Sequence, residues 1–288
     1  MKPIIDWSGK SHNFTKSEKK YLSKVLDSDI LTQGDEKKKF ENSLRKYLNK
    51  KNVFCINSAA SALEIISNLL KIKKDDEVII PAHTYCASAI PFARQGAKIV
   101  WADIDLETRT ISIKDVEKKI TKKTKAIVIV HLYGYAVDVE KFKKFGSKIK
   151  IIEDCAQSFG AEISGKKVGT IGDFSCFSFH AQKNITTLGE GGALFVKNSS
   201  LAKKVPGLRH NGHIDYKFRR KYYWKPAMGN LDMDVPNIWP HKFTLTEIQC
   251  AAGHLLLKRI DKLNDIRIKR AKQFIKSVEQ NIFNFNSN

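Results

Sequence analysis

The chain has 288 residues, 42% hydrophobic and 10% aromatic, enough for one large globular domain with a sizeable core plus part of a second. It has no run of 18 or more apolar residues, so no membrane span is expected, and the start MKPIIDWSGKSH does not read as a signal peptide. The net charge of +21 is spread over nearly every segment, without an RNA-binding, zinc-finger or basic-zipper pattern, which argues against a nucleic-acid partner. The five cysteines are scattered with no C-x-x-C and fit reduced thiols in the cytoplasm.

Residues 1–30 read as a polar N-terminal arm with one helix at 17–26. The turn Leu31-Thr32-Gln33-Gly34 leads to a helix over 36–48, whose Phe40, Leu44, Tyr47 and Leu48 form one apolar stripe. A short strand at 53–56 runs into Asn57-Ser58-Ala59-Ala60, which opens a helix to residue 70. A strand turning into a helix N-terminus presents unpaired N–H groups and suits a phosphate, although the same residues also read as a simple N-cap. A strand over 77–80 ends at Pro81, and 82–88, with Tyr85, begins a helix. A strand over 98–101 and a helix over 114–120 follow. The almost wholly apolar run 126–131 is typical of a parallel strand buried on both faces. His131 stands there as a core or a functional histidine alike. Asp138 is expected to cap a helix to about 145. The strand–helix alternation predicts an α/β layered fold with a mostly parallel sheet.

The stretch 149–196 concentrates the chemistry. An apolar run at 149–152 delivers Glu153 and Asp154 at a strand's C-terminal end, where ligands sit in open α/β sheets. Gln157 follows. A second run, 174–179, leads to Lys183, and Gly189-Glu190-Gly191-Gly192 then feeds a strand at 193–196. This glycine cluster precedes a strand and not a helix, so a dinucleotide loop is excluded. An acid and a lysine, each at the end of its own strand, suit pyridoxal phosphate (PLP), which takes a lysine for its Schiff base and an acid for its ring nitrogen. Spacing alone equally allows a surface lysine and a capping aspartate. Beyond it, 199–208 reads as helical, His210 and His213 lack a third metal ligand, and 214–241 reads as a substrate-facing or interface loop. Thr246 opens a long helix reaching the 280s.

EDCAQSFGA, GKKVGTIGDFSCFSFHAQKN and GEGGALFV closely resemble the DegT/DnrJ/EryC1/StrS sugar aminotransferases, PLP enzymes of fold type I. The resemblance implies a three-layer α/β/α PLP-binding large domain over 31–244, with 245–288 as the start of a small C-terminal domain cut short relative to the family. It also implies roles: Lys183 as the Schiff-base lysine, Asp154 at the ring nitrogen, Gln157 beside the ring hydroxyl or phosphate, Tyr85 stacked on the ring, and Ser178 with Ser58-Ala59-Ala60 at the phosphate. Where the family usually has Ser-Gly-Thr, Ala59-Ala60 keep the backbone donors and lose a hydroxyl. Lys242 stands where a partner subunit's asparagine would reach the phosphate. The implied reaction is transfer of an amino group, with L-glutamate as donor, to a nucleotide-diphosphate keto-sugar, in a homodimer serving surface polysaccharide or lipopolysaccharide synthesis. A sugar dehydratase is disfavoured because those relatives carry histidine in place of Lys183. Ala59-Ala60, Lys242 and the short C-terminus keep an inactive scaffold or regulatory subunit as the alternative.

Overall fold

Successive residues of the strand Thr124–Val130 (β4) point to opposite faces of the sheet. Both faces are covered: Ala126, Val128 and Val130 join one apolar cluster, and Ile127 and Ile129 join another. The same division recurs on Gly192–Val196 (β9), where Leu194 and Val196 face one layer and Ala193 and Phe195 the other. The protein is therefore a three-layer α/β/α structure, seen in a computed structural model that describes residues 13–212 and 239–285.

The remaining strands are Val53–Ile56 (β1), Glu77–Pro81 (β2), Lys98–Ala102 (β3), Lys150–Asp154 (β5), the short pair Glu162–Ile163 (β6) and Lys166–Lys167 (β7), and Phe174–Ser178 (β8). Together with β4 and β9, five of these form one seven-stranded sheet in the order β1-β9-β8-β5-β4-β2-β3. All its pairings are parallel except those of β9, which runs against both of its neighbours. β4, β5 and β8 therefore end side by side at one edge, and the loops beyond them converge there.

One face carries the helices Ala59–Leu69 (α3), Ile90–Arg94 (α4), Ser199–Ala202 (α6) and Val205–Arg209 (α7), through Leu63, Ile66, Phe92, Val205 and Leu208. The other carries Asp35–Leu48 (α2), Ile113–Lys119 (α5) and Glu247–Leu257 (α8). The expected stripe on α2 is buried at Phe40, Leu44 and Leu48. Its N-cap, Gly34, offers no side chain; instead Glu247 of α8 accepts from the Glu36 N–H at 2.7 Å, a carboxylate at the positive end of the helix. A Cβ at Gly34 would lie 2.7 Å from that same oxygen. α8 follows the expected boundary at 244/245, yet it packs Cys250 and Leu256 into the cluster of α2. Lys16–Leu26 (α1), closed by a Thr15/Glu18 capping box, lays Leu22 and Val25 on Ala251 and Ala252.

Several elements differ from expectation. The long helix after Thr246 is two, α8 and Ile260–Phe285 (α9). No glycine or proline marks the break; Arg259 at the turn binds Glu18 through two nitrogens, at 2.9 and 3.0 Å, and ties α1 to it. Asp138 makes no side-chain cap, and Val139–Phe145 is a 3-10 segment, with Val139 and Phe142 buried at the three-residue repeat of that helix. Residues 82–88 hold only a 3-10 turn, Cys86–Ser88, before α4. The helix expected over 199–208 is split, with Pro206 in the first turn of α7. The β6–β7 hairpin was not expected; Ser164 and Gly165 turn it with positive φ at both positions. His131 lies just beyond β4 and not within it.

Candidate active site

A cavity of about 420 Å³ opens where β4, β5 and β8 end, bounded on the far side by the first turn of α3. Ser58, the N-cap of α3, turns its hydroxyl inward: Oγ accepts from the Ser61 N–H at 3.0 Å and donates to Ser61 Oγ at 2.9 Å. Ala59 and Ala60 follow it along the cavity wall. The turn is seated directly on β9, since a Cβ at Gly192 would lie 2.6 Å from the Ser58 carbonyl carbon and 2.8 Å from the Ala59 nitrogen. Only glycine admits that approach, which explains the last glycine of the Gly-Glu-Gly-Gly run.

Asp154 ends β5 and is 6% exposed in the cavity wall. Its Oδ1 accepts from the Ala156 N–H at 3.0 Å and its Oδ2 from the Ser88 hydroxyl at 2.7 Å. Thr84 Oγ1 lies 2.9 Å behind Ser88 Oγ. Tyr85, 70% exposed, lines the mouth. Gln157 also lines it, its Oε1 accepting from the Tyr133 N–H at 3.1 Å, with Tyr133 held at φ 52°. Ser178 closes β8. Lys183 stands on the loop between β8 and β9, its N–H donating to the His180 carbonyl at 3.0 Å; the loop is tied at both ends by Phe179 N–H to Gly191 O and Ala181 N–H to Gly189 O. His180 and Glu190, 3.8 Å apart, share the same wall. Lys183, Asp154, Gln157, Ser178, Tyr85 and Ser58-Ala59-Ala60 thus line one cavity.

Other residues singled out in the sequence lie elsewhere. Glu153 points to the opposite face and is fully buried. Its Oε2 accepts from His131 Nε2 at 3.1 Å and the Gly169 N–H at 2.7 Å, its Oε1 from the Ile171 and Gly172 N–H groups at 2.8 and 2.6 Å. Burial alone would raise this carboxyl, but those donors together outweigh it and hold it below the usual range. His131 Nδ1 accepts from the Val137 N–H at 3.0 Å, which leaves Nε2 to donate to Glu153. With Cys155 these residues bring metal-ligand atoms within 4.8 Å of one another, yet the nitrogens and carboxylate oxygens are already bonded and burial pushes the Cys155 thiol up. This is a structural knot. Lys242 is exposed on a bridge to His210 and does not line the cavity; His213 and most of the 214–241 loop fall outside the described residues. Thr84, Ser88 and Glu190 were missed. Their signal was local only: Thr84 and Ser88 flank Tyr85 on one short turn.

The family model of the DegT/DnrJ/EryC1/StrS aminotransferases matches residues 12–284. The chain belongs to that family. It is 36% identical over 281 residues to dTDP-3-amino-3,6-dideoxy-α-D-galactopyranose transaminase of Aneurinibacillus thermoaerophilus, across 97% of this chain and 73% of that protein. It is 34% identical over 257 residues to GDP-perosamine synthase of Vibrio cholerae, across 88% of this chain and 65% of that one. A candidate sugar aminotransferase of Streptococcus pneumoniae, solved in its PLP form, superposes with a TM-score of 0.75 at 30% identity over 90% of this chain and 68% of that one. The chain spans about 65% of the length of the first curated relatives it matches. Fold type I is thereby shown, and PLP is the family's cofactor. The residues present fit it: an amine at Lys183, a twice-bonded carboxylate at Asp154, and a helix N-terminus seated on Gly192 for the phosphate. Among the described residues, no helix is long and apolar enough to cross a membrane.

Proposed function

We propose that the protein is a PLP-dependent aminotransferase that converts a nucleotide-linked keto-sugar to an amino sugar with L-glutamate as amino donor. It would serve surface polysaccharide or lipopolysaccharide synthesis from the cytoplasm. The observation that carries this reading is the convergence of Lys183, Asp154 and the α3 N-terminus on one cavity. The nucleotide-sugar class is supported by the names of the relatives, which use dTDP- and GDP-linked sugars.

Bound PLP supplies an aldehyde that condenses with amines and a ring that takes up an electron pair. The chain's own residues do the rest. The Ala59 and Ala60 N–H groups and Ser178 bind the phosphate, and the α3 N-terminus adds its dipole. Tyr85 covers one ring face. Asp154 holds the proton of the ring nitrogen. The Lys183 amine takes the proton from the donor's α-carbon as general base and returns protons in the sugar half-reaction. Lys242 contributes its charge to the phosphate of a partner subunit in a homodimer, which accounts for its place outside its own cavity.

The test is to mix the PLP-loaded protein with L-glutamate. The expected result is loss of the aldehyde-form absorption, gain of the amine form and release of one 2-oxoglutarate per site. An unchanged spectrum with no 2-oxoglutarate contradicts the reading and leaves the non-catalytic scaffold.

A further inference from the structure

We infer that Ser88, backed by Thr84, is a positioning residue that sets how Asp154 meets the cofactor's ring nitrogen. The inference rests on the role proposed above for Asp154, and it assigns a function to two hydroxyls that otherwise have none.

A hydroxyl has one proton, and Ser88 spends it on Asp154 Oδ2 at 2.7 Å. The contact between Thr84 Oγ1 and Ser88 Oγ at 2.9 Å is then one in which Thr84 donates. The chain therefore runs one way, from Thr84 to Ser88 to Asp154, and each hydrogen bond polarises the next. Ser88 is 1% exposed, so water does not replace it. The Ala156 N–H fixes the other oxygen. With a donor on each oxygen the carboxylate plane cannot rotate, and its remaining lone pairs keep a fixed direction.

Ser88 also ends the 3-10 turn Cys86–Ser88, whose N-cap is Tyr85, and its own N–H donates to the Tyr85 carbonyl at 3.0 Å. One turn thus carries the aromatic proposed for the ring face and the hydroxyl that orients the acid at the ring edge. Moving either displaces both. The hydroxyl also acts on proton sharing. Its proton makes the Asp154 carboxylate a weaker competitor for the proton of the ring nitrogen, whichever oxygen meets the ring, and so favours the proton on nitrogen, the form that draws electrons from the substrate.

The experiment loads the protein with PLP labelled with ¹⁵N in the ring and records the ring-nitrogen chemical shift across pH for wild type, Ser88→Ala, Thr84→Val and Asp154→Asn. For Ser88→Ala the expected result is a resonance moved toward the unprotonated value. The proton equilibrium between nitrogen and carboxylate should change by about tenfold or more, the effect of one hydrogen bond to a charged group. Thr84→Val should move it the same way by less, and Thr84→Ser should restore it. If Ser88→Ala does not retain PLP, Thr84→Val and its rescue carry the decision. A wild-type shift in both Ser88→Ala and Thr84→Val overturns the inference. If Asp154→Asn moves the resonance in that case, the role of Asp154 stands and only the relay fails; if Asp154→Asn leaves it unmoved, the parent reading fails as well.

Discussion

Two neighbouring carboxylates end the same strand and meet opposite fates. Glu153 turns into the core and fills both oxygens with four donors, one from His131 and three from the backbone at 169–172. Asp154 turns to the cavity, where Ser88 and the Ala156 N–H donate to it and the buried Cys176 thiol lies beside it. The strand's alternation separates them. A buried acid whose lone pairs are all taken holds structure, whereas one that keeps acceptor capacity toward a cavity can serve a ligand. The same distinction sorts the histidines: His131 has both ring nitrogens engaged in the core, and His180 lines the cavity.

That contrast can be broken by mutation. The largest effect is expected on the cavity side. Lys183→Ala should slow the glutamate half-reaction by about 10⁴-fold, the upper range for loss of a positioned base, with the urea midpoint of the apo protein unchanged. Stopped-flow spectra and equilibrium unfolding check the two halves. The reverse pattern is expected for Glu153→Ala. Leaving His131 and three backbone donors unpaired in the core should cost about 3–5 kcal/mol in urea unfolding. Asp154→Asn, which keeps shape and an acceptor, should cost less than about 1.5 kcal/mol. Equal losses for the two acids would erase the distinction.

A smaller effect sharpens the phosphate side. Ala60→Thr adds the hydroxyl that this chain lacks at the first turn of α3, and should tighten PLP binding by about tenfold, read from fluorescence titration. The smallest is a slope with pH. Because Glu153 is held below the usual carboxylate range in the folded protein, its contribution to stability is complete above the unfolded value of about 4.3 and is lost as pH falls through the lower folded value. The apo urea midpoint should decline over that acidic window, and Glu153→Gln should flatten the decline.

The sheet was legible because its strands are unbroken apolar runs, such as 126–130 and 193–196, bounded by polar turns. That Lys183 and Asp154 meet at one cavity was legible from their places after strand ends, and the flanking motifs carried the family. What escaped depends on contacts distant in sequence. The break between α8 and α9 is held by an arginine reaching Glu18, and nothing local at 258–259 announces it. Ser88 reads as an ordinary turn serine until β5 brings Asp154 beside it, 66 residues away in the chain. The reverse error was Asp138, a good cap by residue type, overridden by burial of Val139 and Phe142 at a three-residue repeat.

The central claim, that one lysine and one aspartate grip the same cofactor, is tested most directly by borohydride reduction of the PLP-loaded protein followed by peptide mapping. The account predicts the reduced pyridoxyl group on Lys183, in the peptide that follows β8. Modification at another lysine, with Lys183 left unmodified, would contradict it.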